Sequence, residues 1–158
     1  MPIESALFRR AMSRLPTGVT VLVAPDPSGG FIGMTASAVT ALSLEPPMVL
    51  ACIGHAAAAH DALTCCTTLG VNVLAADQEA VSRHFADRTS QRFAAGALET
   101  TPSGLPRLPG ALACLEVRRT AVHEAGDHSI VTGVVEWACA GDGAPLLYVL
   151  GGYTRPAR

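Results

Sequence analysis

The chain has 158 residues, a length typical of a single domain with a sizeable core, and we expect residues 1–158 to form one domain. Its 11 basic and 13 acidic residues give a net charge of −2, which disfavours nucleic acid and an anionic membrane as partners. Charged residues make up only 15% of the chain, and a surface so poor in charge favours burial of one face between two subunits.

Neither the hydropathy pattern nor the cysteine pattern indicates a secreted or membrane protein. No apolar run reaches the roughly 18 residues of a membrane span, and Met1–Ser5 lacks the basic start of a secretion signal. The five cysteines are odd in number and lack CxxC spacing, so they predict neither a disulfide framework nor a zinc site. The histidines do not have metal-ligand spacing either. We expect a cytoplasmic protein without a metal.

The N-terminal part predicts a helix followed by a β-hairpin. Ser5 is a suitable N-cap for a helix whose apolar residues recur at the spacing of one face, and Pro16 ends it. Val19–Val23 and Phe31–Thr35 are strand-like, and the proline- and glycine-rich residues 25–30 between them supply the turn.

The segment that follows predicts a tight polar corner between two strands. Thr35–Ala38 contains only small residues, and Met48–Ile53 is an apolar run of strand length that Pro46 and Pro47 introduce. Two hydroxyls and little bulk leave main-chain N–H groups open to a flat polar ligand. Small residues also serve a plain β-arc, because Thr and Ser form turns by bonding their own backbone.

The second half predicts two short helices and four further strands. Residues 54–63 are rich in alanine and favour a helix or helical turn, and Asp77 is a suitable cap for a second one. Val71–Ala75 is a strand. A loop with prolines and glycines spaced through it covers 94–109. Ala111–Val122 and Ser129–Cys139 then form a long hairpin around the turn at 125–128, and a strand over 146–150 follows.

Most of these strands are joined by connections too short for parallel crossovers, which predicts a mainly β, antiparallel barrel with a few short helices. No G-x-G-x-x-G motif stands between a strand and a helix, so a Rossmann nucleotide-binding unit is not expected.

The central segment, GMTASAVTALSLEPPMVLACI, resembles the signature of the short-chain flavin reductase family. Further matches follow in the family's order: Leu69–Leu74, Phe85-Ala86, Arg92-Phe93, Pro109–Glu116, Gly126-Asp127-His128 and Pro145–Tyr148. The resemblance runs from about Phe8 to Tyr153. It implies the FMN-binding split barrel, an antiparallel Greek-key β-barrel that is typically a homodimer with a flavin, FMN or FAD, near the subunit interface.

The resemblance also implies the residues of the site. His128 is expected to orient the nicotinamide of NADH or NADPH, with hydride transfer between the cofactors and no catalytic acid or nucleophile. The other cofactor-binding residues implied are Met34, Thr35, Ala36, Ser37, Ala38, Ser43, Cys52, Ile53, His55, Ala58, Ala59, His60, Phe85, Arg92, Phe93 and Tyr153. An exposed turn histidine and a solvated arginine are the plain alternatives for His128 and Arg92.

The chain departs from the family pattern at two places. Members usually carry Ser and Thr hydroxyls that bind the flavin phosphate, and this chain has Ala56–Ala59 in their place. Binding of the phosphate would therefore depend on backbone donors, His55, His60 and Arg92. Leu150-Gly151-Gly152 replaces an Arg-Gly-Arg pattern that helps hold the nicotinamide cofactor.

Three functions therefore remain open on the sequence. The first is an NAD(P)H-dependent reductase that supplies reduced flavin to a partner monooxygenase. The second is an enzyme of the same fold that keeps its flavin and acts on another substrate. The third is a flavin-binding module without reductase activity.

Overall fold

The structure, a computed structural model, describes residues 1–89, 93 and 98–157. The helices in these ranges are α1 (Ser5–Met12), α2 (His60–Cys65) and α3 (Glu79–Ala86). The strands are β1 (Thr17–Gly18), β2 (Thr20–Pro25), β3 (Phe31–Ala36), β4 (Val39–Leu44), β5 (Pro47–Gly54), β6 (Thr68–Val73), β7 (Ala113–Ala125), β8 (His128–Ala140), β9 (Leu147–Val149) and β10 (Gly152–Thr154).

Seven strands form one antiparallel sheet in the order β3-β2-β6-β7-β8-β5-β4, and β1, β9 and β10 form a small second sheet. The outermost strands of the large sheet, β3 and β4, are joined only by Ser37 and Ala38. Three Cα–Cα steps of about 3.8 Å can bridge no more than about 11 Å, so the sheet has to curl until its two edges meet. The predicted antiparallel barrel is thereby confirmed.

β2 is buried on both faces and separates two cores. Its alternate side chains enter different clusters, because successive residues of a strand point to opposite faces. Leu22 and Ala24 pack inside the barrel with α2, in a cluster that includes Ile32, Ile53, Leu63, Leu69, Val71, Val117 and Val131. Val21 and Val23 pack on the other face beside α3, in a cluster that includes Val19, Leu74, Phe85 and Leu146.

Both predicted hairpins are confirmed. β2 pairs with β3 across the loop at 26–30, and β7 pairs with β8 from Ala113↔Ala140 to Ala125↔His128. The loop of the second hairpin is Gly126-Asp127. Gly126 has φ of +64° there, a conformation that a residue without Cβ adopts readily.

The helix starts and the edge strand differ from the predictions. Glu4, not Ser5, is the N-cap of α1, and Gln78, not Asp77, is the N-cap of α3. α2 begins at His60, later than predicted, because Gly54 ends β5 and residues 55–59 form turns. β4 is a strand that the sequence analysis did not predict. Its mixture of small, polar and apolar residues, four of the six exposed to solvent, hides the alternation that normally marks a strand.

No helix among the described residues is long and apolar enough to cross a membrane. The described part of the predicted loop, residues 98–109, crosses the outer face of the sheet. It is held there by Leu108 N–H, which donates to Asn72 Oδ1 at 2.9 Å, and by Ser103 N–H, which donates to Glu116 Oε2 at 3.0 Å.

We predict that Glu116 makes stability depend on pH. Glu116 is 7% exposed, and although its burial raises the pKa, hydrogen bonds from Thr101 and Ser103 outweigh that effect and hold the pKa of this carboxyl below its usual range. A lowered pKa stabilises the fold above the unfolded-state value of about 4.3, and this stabilisation is lost as the pH falls through the folded-state value.

The urea midpoint of the wild type should therefore drop on acidification from about pH 6 to pH 3, and Glu116→Gln should have a lower midpoint at pH 6 with a smaller drop. Glu45→Gln, at an exposed turn position, serves as the control. Equal pH dependence in Glu116→Gln and wild type would contradict the prediction.

Candidate functional site

The predicted corner joins β3 to β4 and presents two exposed residues. Ser37 and Ala38 are exposed, whereas Ala36 is 7% exposed and belongs to the core. Cys52 N–H donates to Ala38 O at 2.9 Å and so ties the corner to β5. The main-chain donor of Cys52, one of the implied site residues, is therefore used within the protein.

The corner forms one wall of a cleft of about 660 Å³. The other walls come from the end of α1 and the residues after it, from the second half of β5 and from β9. They include Met12, Leu15, Leu50, Cys52 and Tyr148. A smaller cleft of about 220 Å³ shares Ser37 and Tyr148 with it and extends toward Ser82 and Tyr153. A separate cavity of about 560 Å³ beside Asp61 and Cys65 is lined by none of the predicted site residues.

Thr35 and Tyr153 are held by the same residue of α3. The Thr35 hydroxyl donates to Ser82 O at 2.6 Å, and Tyr153 OH lies 2.8 Å from Ser82 Oγ. The Arg83 guanidinium lies 5.0 Å from the centre of the Tyr153 ring. The Thr35 hydroxyl therefore fixes the strand against the helix, while Tyr153 stands at the rim of the smaller cleft.

His128 lies next to Cys52 on the same face of the sheet. His128 pairs with Gly54, and its Nε2 is 3.4 Å from where a Cβ on Gly54 would stand. Cys52 and Gly54 are two residues apart on β5, so they face the same side about 7 Å apart. The His128 ring therefore occupies the space above Gly54, one step beyond the cleft.

Asp127 fixes the tautomer of this histidine. The distance from His128 Nδ1 to Asp127 Oδ1 is 2.7 Å, and the hydrogen bond from His128 holds the pKa of Asp127 below its usual range. A carboxylate only accepts hydrogen bonds, so Nδ1 carries the proton. The half-exposed Nε2 remains for a ligand.

His55 and His60 belong to one hydrogen-bonded network with two acidic residues. Glu124 Oε2 lies 2.8 Å from His55 Nε2, and Glu124 Oε1 accepts a bond of 2.9 Å from the Ser129 hydroxyl. Hydrogen bonds from Ser129 and His55 hold the pKa of Glu124 below its usual range. His60 contacts Ser129 Oγ and Asp61 Oδ1, each at 2.9 Å.

Each imidazole of this network lies beside a carboxylate. His55 is next to Glu124, and His60 is next to Asp61. His55 and His60 bring less net positive charge to the site than their number suggests.

Glu124 and Ser129 are the network residues that the sequence analysis missed. They are directly opposite one another in the β7–β8 hairpin, at the first pair beyond Ala125↔His128. Counting outward from the Gly-Asp turn would have placed them together, because register in a hairpin follows from its loop. That signal was present in the sequence.

The alanine segment, Ala56–Ala59, forms turns on the surface. A cation that the sequence analysis also missed, Arg88, contacts this segment. Ala56 and Ala58 are exposed, while Ala59 is fully buried. Arg88, just after α3, donates from its guanidinium to Ala56 O. The arginine predicted for this place, Arg92, lies outside the described residues.

The remaining predicted residues divide between core and periphery. Ile53 is fully buried, and Met34 packs against the same cluster. Phe85 is 4% exposed, and its ring lies 4.7 Å from that of Phe93, so this pair is part of the core beside α3. Ser43 lies near the end of β4 that is remote from the corner. No group of three or more potential metal ligands occurs within the described ranges.

Comparisons with known proteins agree with this fold. Residues 12–157 match the family model described as a flavin reductase like domain. The FMN reductase (NADH) SmoA of Agrobacterium fabrum is 40% identical over 155 residues, which cover 98% of this chain and 88% of SmoA.

Two solved structures are similar along nearly their whole length. The NADH:FAD oxidoreductase SgcE6 of Streptomyces globisporus, in complex with NAD and FAD fragments, has a TM-score of 0.90 at 36% identity and covers 98% of this chain and 93% of its own. The styrene monooxygenase flavin reductase SMOB of Pseudomonas putida S12 has a TM-score of 0.85 at 30% identity, with 96% and 98% covered. The barrel described above is therefore the split barrel of flavin reductases, and the chain belongs to the flavin reductase-like domain family.

Proposed function

We propose that the protein is an NAD(P)H:flavin oxidoreductase that reduces FMN or FAD and supplies the reduced flavin to a partner monooxygenase. Relatives named FMN reductase (NADH), NADH:FAD oxidoreductase and styrene monooxygenase flavin reductase support this proposal. The observation that carries it is the exposed Ser37-Ala38 main chain at the wall of the 660 Å³ cleft. A cleft of this volume suits a ligand of cofactor size.

The residues present fit a flat ring that lies against main chain. Ser37 and Ala38 are small and exposed, and the cleft wall also contains Gly18 and Thr40. The apolar part of the wall, which includes Leu50 and Val149, would cover a ring face and exclude water. When bound, the flavin supplies the hydride-accepting chemistry, and the protein has to bind and orient the two cofactors.

The nicotinamide side of the site is assigned to His128. Its ring borders the Cys52 side of the cleft, and its Nε2 is directed away from the Asp127 carboxylate that fixes Nδ1. Such a half-exposed imidazole can bond or stack on a nicotinamide ring. Asp127 would act as a positioning residue that keeps the ring in one tautomer.

The phosphate side of the site is assigned to the turn at residues 55–59. The Arg88 guanidinium is held on Ala56 O, and His55 lies at the start of the same turn. The carboxylate of Glu124 beside His55 reduces the local positive charge. We infer modest affinity for the flavin phosphate, which suits a reductase whose product has to leave.

A homodimer is part of the proposal because a large apolar surface borders the cleft. No residue of α1 is buried, and Leu7, Phe8 and Leu15 are 55%, 54% and 58% exposed. Leu44 on the edge strand β4 is 84% exposed. Burial of such a surface in a second subunit would remove it from water. Light scattering should give twice the chain mass of 16.2 kDa.

We place the protein in the cytoplasm, where reduced nicotinamide cofactors are available and free thiols persist. All five cysteines are free, which supports this assignment. The net charge of −2 does not favour nucleic acid or an anionic membrane as a partner.

A flavin-binding module without reductase activity is the second candidate, and one observation favours it. The hairpin between β9 and β10 has Leu150 where the family pattern has arginine, with φ of +53° and an exposed side chain. The cation expected to hold the nicotinamide cofactor is therefore absent from this hairpin. An enzyme that keeps its flavin differs from both of these candidates, because it would oxidise the nucleotide only when a further electron acceptor is added.

The test is NADH or NADPH oxidation by purified protein, followed by nicotinamide absorbance as FMN, FAD or riboflavin is added. Oxidation that rises with added flavin and saturates is expected. Protein that binds flavin tightly but oxidises neither nucleotide would overturn the reductase proposal in favour of the module.

We predict that His128→Ala raises the KM for the nicotinamide nucleotide and leaves the flavin Kd nearly unchanged. Loss of one neutral hydrogen bond of about 1 kcal/mol corresponds to a fivefold to tenfold change in KM. The matched control is His123→Ala, an exposed histidine five residues earlier in the same hairpin. Unchanged kinetics in His128→Ala would remove His128 from the site.

A gain of function is predicted for Ala58→Ser. A hydroxyl on this exposed turn would restore a phosphate donor, and a hydrogen bond to a charged group of about 1.5 kcal/mol corresponds to about tenfold tighter FMN binding. Riboflavin has no phosphate, so its Kd should not change. Equal effects on FMN and riboflavin, measured by fluorescence titration, would contradict the assignment of residues 55–59 to the phosphate.

A further inference from the structure

Two cysteines face each other across the β7–β8 pair, far from the hairpin turn and His128. Cys114 on β7 is directly opposite Cys139 on β8, and both thiols are free. Gly141 N–H donates to Leu112 O at 2.6 Å, so by alternation Cys114 and Cys139 are also a hydrogen-bonded pair. Cα atoms in such pairs are about 5.5 Å apart, within the range of about 4.4–6.8 Å that disulfides span.

A guanidinium rests on one of the two sulfurs. Arg107 Nη2 donates to Cys139 Sγ at 3.3 Å. The same guanidinium lies 5.4 Å from the centre of the Trp137 ring and pairs with Glu99 at 3.1 Å, so it is fixed from two further sides. The half-buried Cys139 sulfur therefore lies against a cation that can stabilise negative charge on the sulfur or on an attached oxygen.

Two buried donors in this cluster have no acceptor among the described residues. One is Arg107 Nε and the other is Asn72 Nδ2. Asn72 is fully buried and pairs with Cys114 on β6–β7, and its Oδ1 accepts from Leu108 N–H at 2.9 Å, which fixes the amide orientation. Buried donors without acceptors are costly, so an excess of donors beside two sulfurs indicates a site suited to negative charge on sulfur or on an attached oxygen.

The two cysteines differ in a way that assigns separate roles. Cys114 is 2% exposed, and its burial, together with the neighbouring Cys139, raises the pKa of its thiol to about 11, so it stays protonated. Cys139 is half-buried and carries the guanidinium contact. Cys139 is suited to react first, and Cys114 to resolve the product.

We propose that Cys114 and Cys139 are a peroxide-sensitive thiol pair that oxidises to a cross-strand disulfide. The Cys139 thiolate attacks one oxygen of hydrogen peroxide, the O–O bond breaks, and Cys139 sulfenic acid and hydroxide form. The Cys114 sulfur then attacks the sulfenic sulfur, the S–O bond breaks, and the departing hydroxide takes the Cys114 proton as water. The two thiols lose two electrons and two protons in total, and one peroxide becomes two waters.

A nearby source of oxidant follows from the proposed function, because reduced flavin that meets O2 before reaching a partner yields hydrogen peroxide. The other thiols lack the arrangement. Cys65 and Cys66 are adjacent in the chain, where a bridge is strained, and burial raises the pKa of the Cys66 thiol to about 11.

The test exposes the purified protein to hydrogen peroxide without flavin or nicotinamide, so its outcome is independent of the proposed function. After alkylation of free thiols, peptide mass analysis should find the Cys114 and Cys139 peptides joined, with the loss of two hydrogens, and dithiothreitol should separate them. Cys139→Ser should abolish this product. Cys114→Ser, or Cys114→Ala if the serine variant does not fold, should accumulate a sulfenic acid at Cys139 that dimedone labels.

Arg107→Gln should slow disulfide formation several-fold, whereas the matched control Cys65→Ser, at an exposed thiol outside the cluster, should leave its rate unchanged. Peroxide treatment that modifies Cys65 while Cys114 and Cys139 stay reduced would overturn the proposal. So would a disulfide that forms at the same rate in Arg107→Gln, because the guanidinium would then have no part in the reaction.

Discussion

The two-residue connection between β3 and β4 is the constraint on which the rest of the structure depends. These strands lie at opposite edges of a seven-stranded sheet, yet only Ser37 and Ala38 separate them. A sheet with its edges tied so closely has to close on itself, and its natural twist allows it to do so. The bond from Cys52 N–H to Ala38 O then fixes the corner beside the cleft. The same short connection thus sets both the barrel and the position of its exposed main chain.

Charge around the cleft is arranged in compensated pairs. Asp127 accompanies His128, Glu124 accompanies His55, and Asp61 accompanies His60. Solvent-exposed pairs of this kind contribute little to stability, typically about 0–1 kcal/mol, but they fix the orientation of the rings. The proposed site therefore relies on main chain and oriented imidazoles more than on net positive charge. This is consistent with a protein that binds and then releases an anionic cofactor.

The sequence predicted the parts of the fold that have strong local signals. The two hairpins carry clear turn residues between β-branched runs, and the Gly126-Asp127 turn gave the β7–β8 pairing and the position of His128. The edge strand β4 was not predicted because it faces solvent on much of its length and lacks alternation. The helix starts were displaced because Gln78 and Glu4, rather than the better capping residues next to them, occupy the caps.

The candidate site was predicted in outline and not in its contacts. The corner and the cleft lie where the motif suggested, but the Thr35 hydroxyl and the Cys52 amide are used within the protein. The contacts of Arg88 with Ala56 and of Glu124 with His55 could not be assigned from local patterns, because these partners are 32 and 69 residues apart in the chain. Long-range side-chain contacts of this kind can be assigned only once the barrel is known, because its closure brings these distant residues together.

The burial of β2 on both faces has a consequence for how this chain tolerates change. Neighbouring positions on the strand contribute to different cores, so a run of substitutions along it would disturb the barrel interior and the packing of α3 at once. β4 does not pack in two cores, since most of its side chains are exposed to solvent. Sequence drift among relatives should therefore be slow along β2 and rapid along β4, except at positions that a second subunit covers.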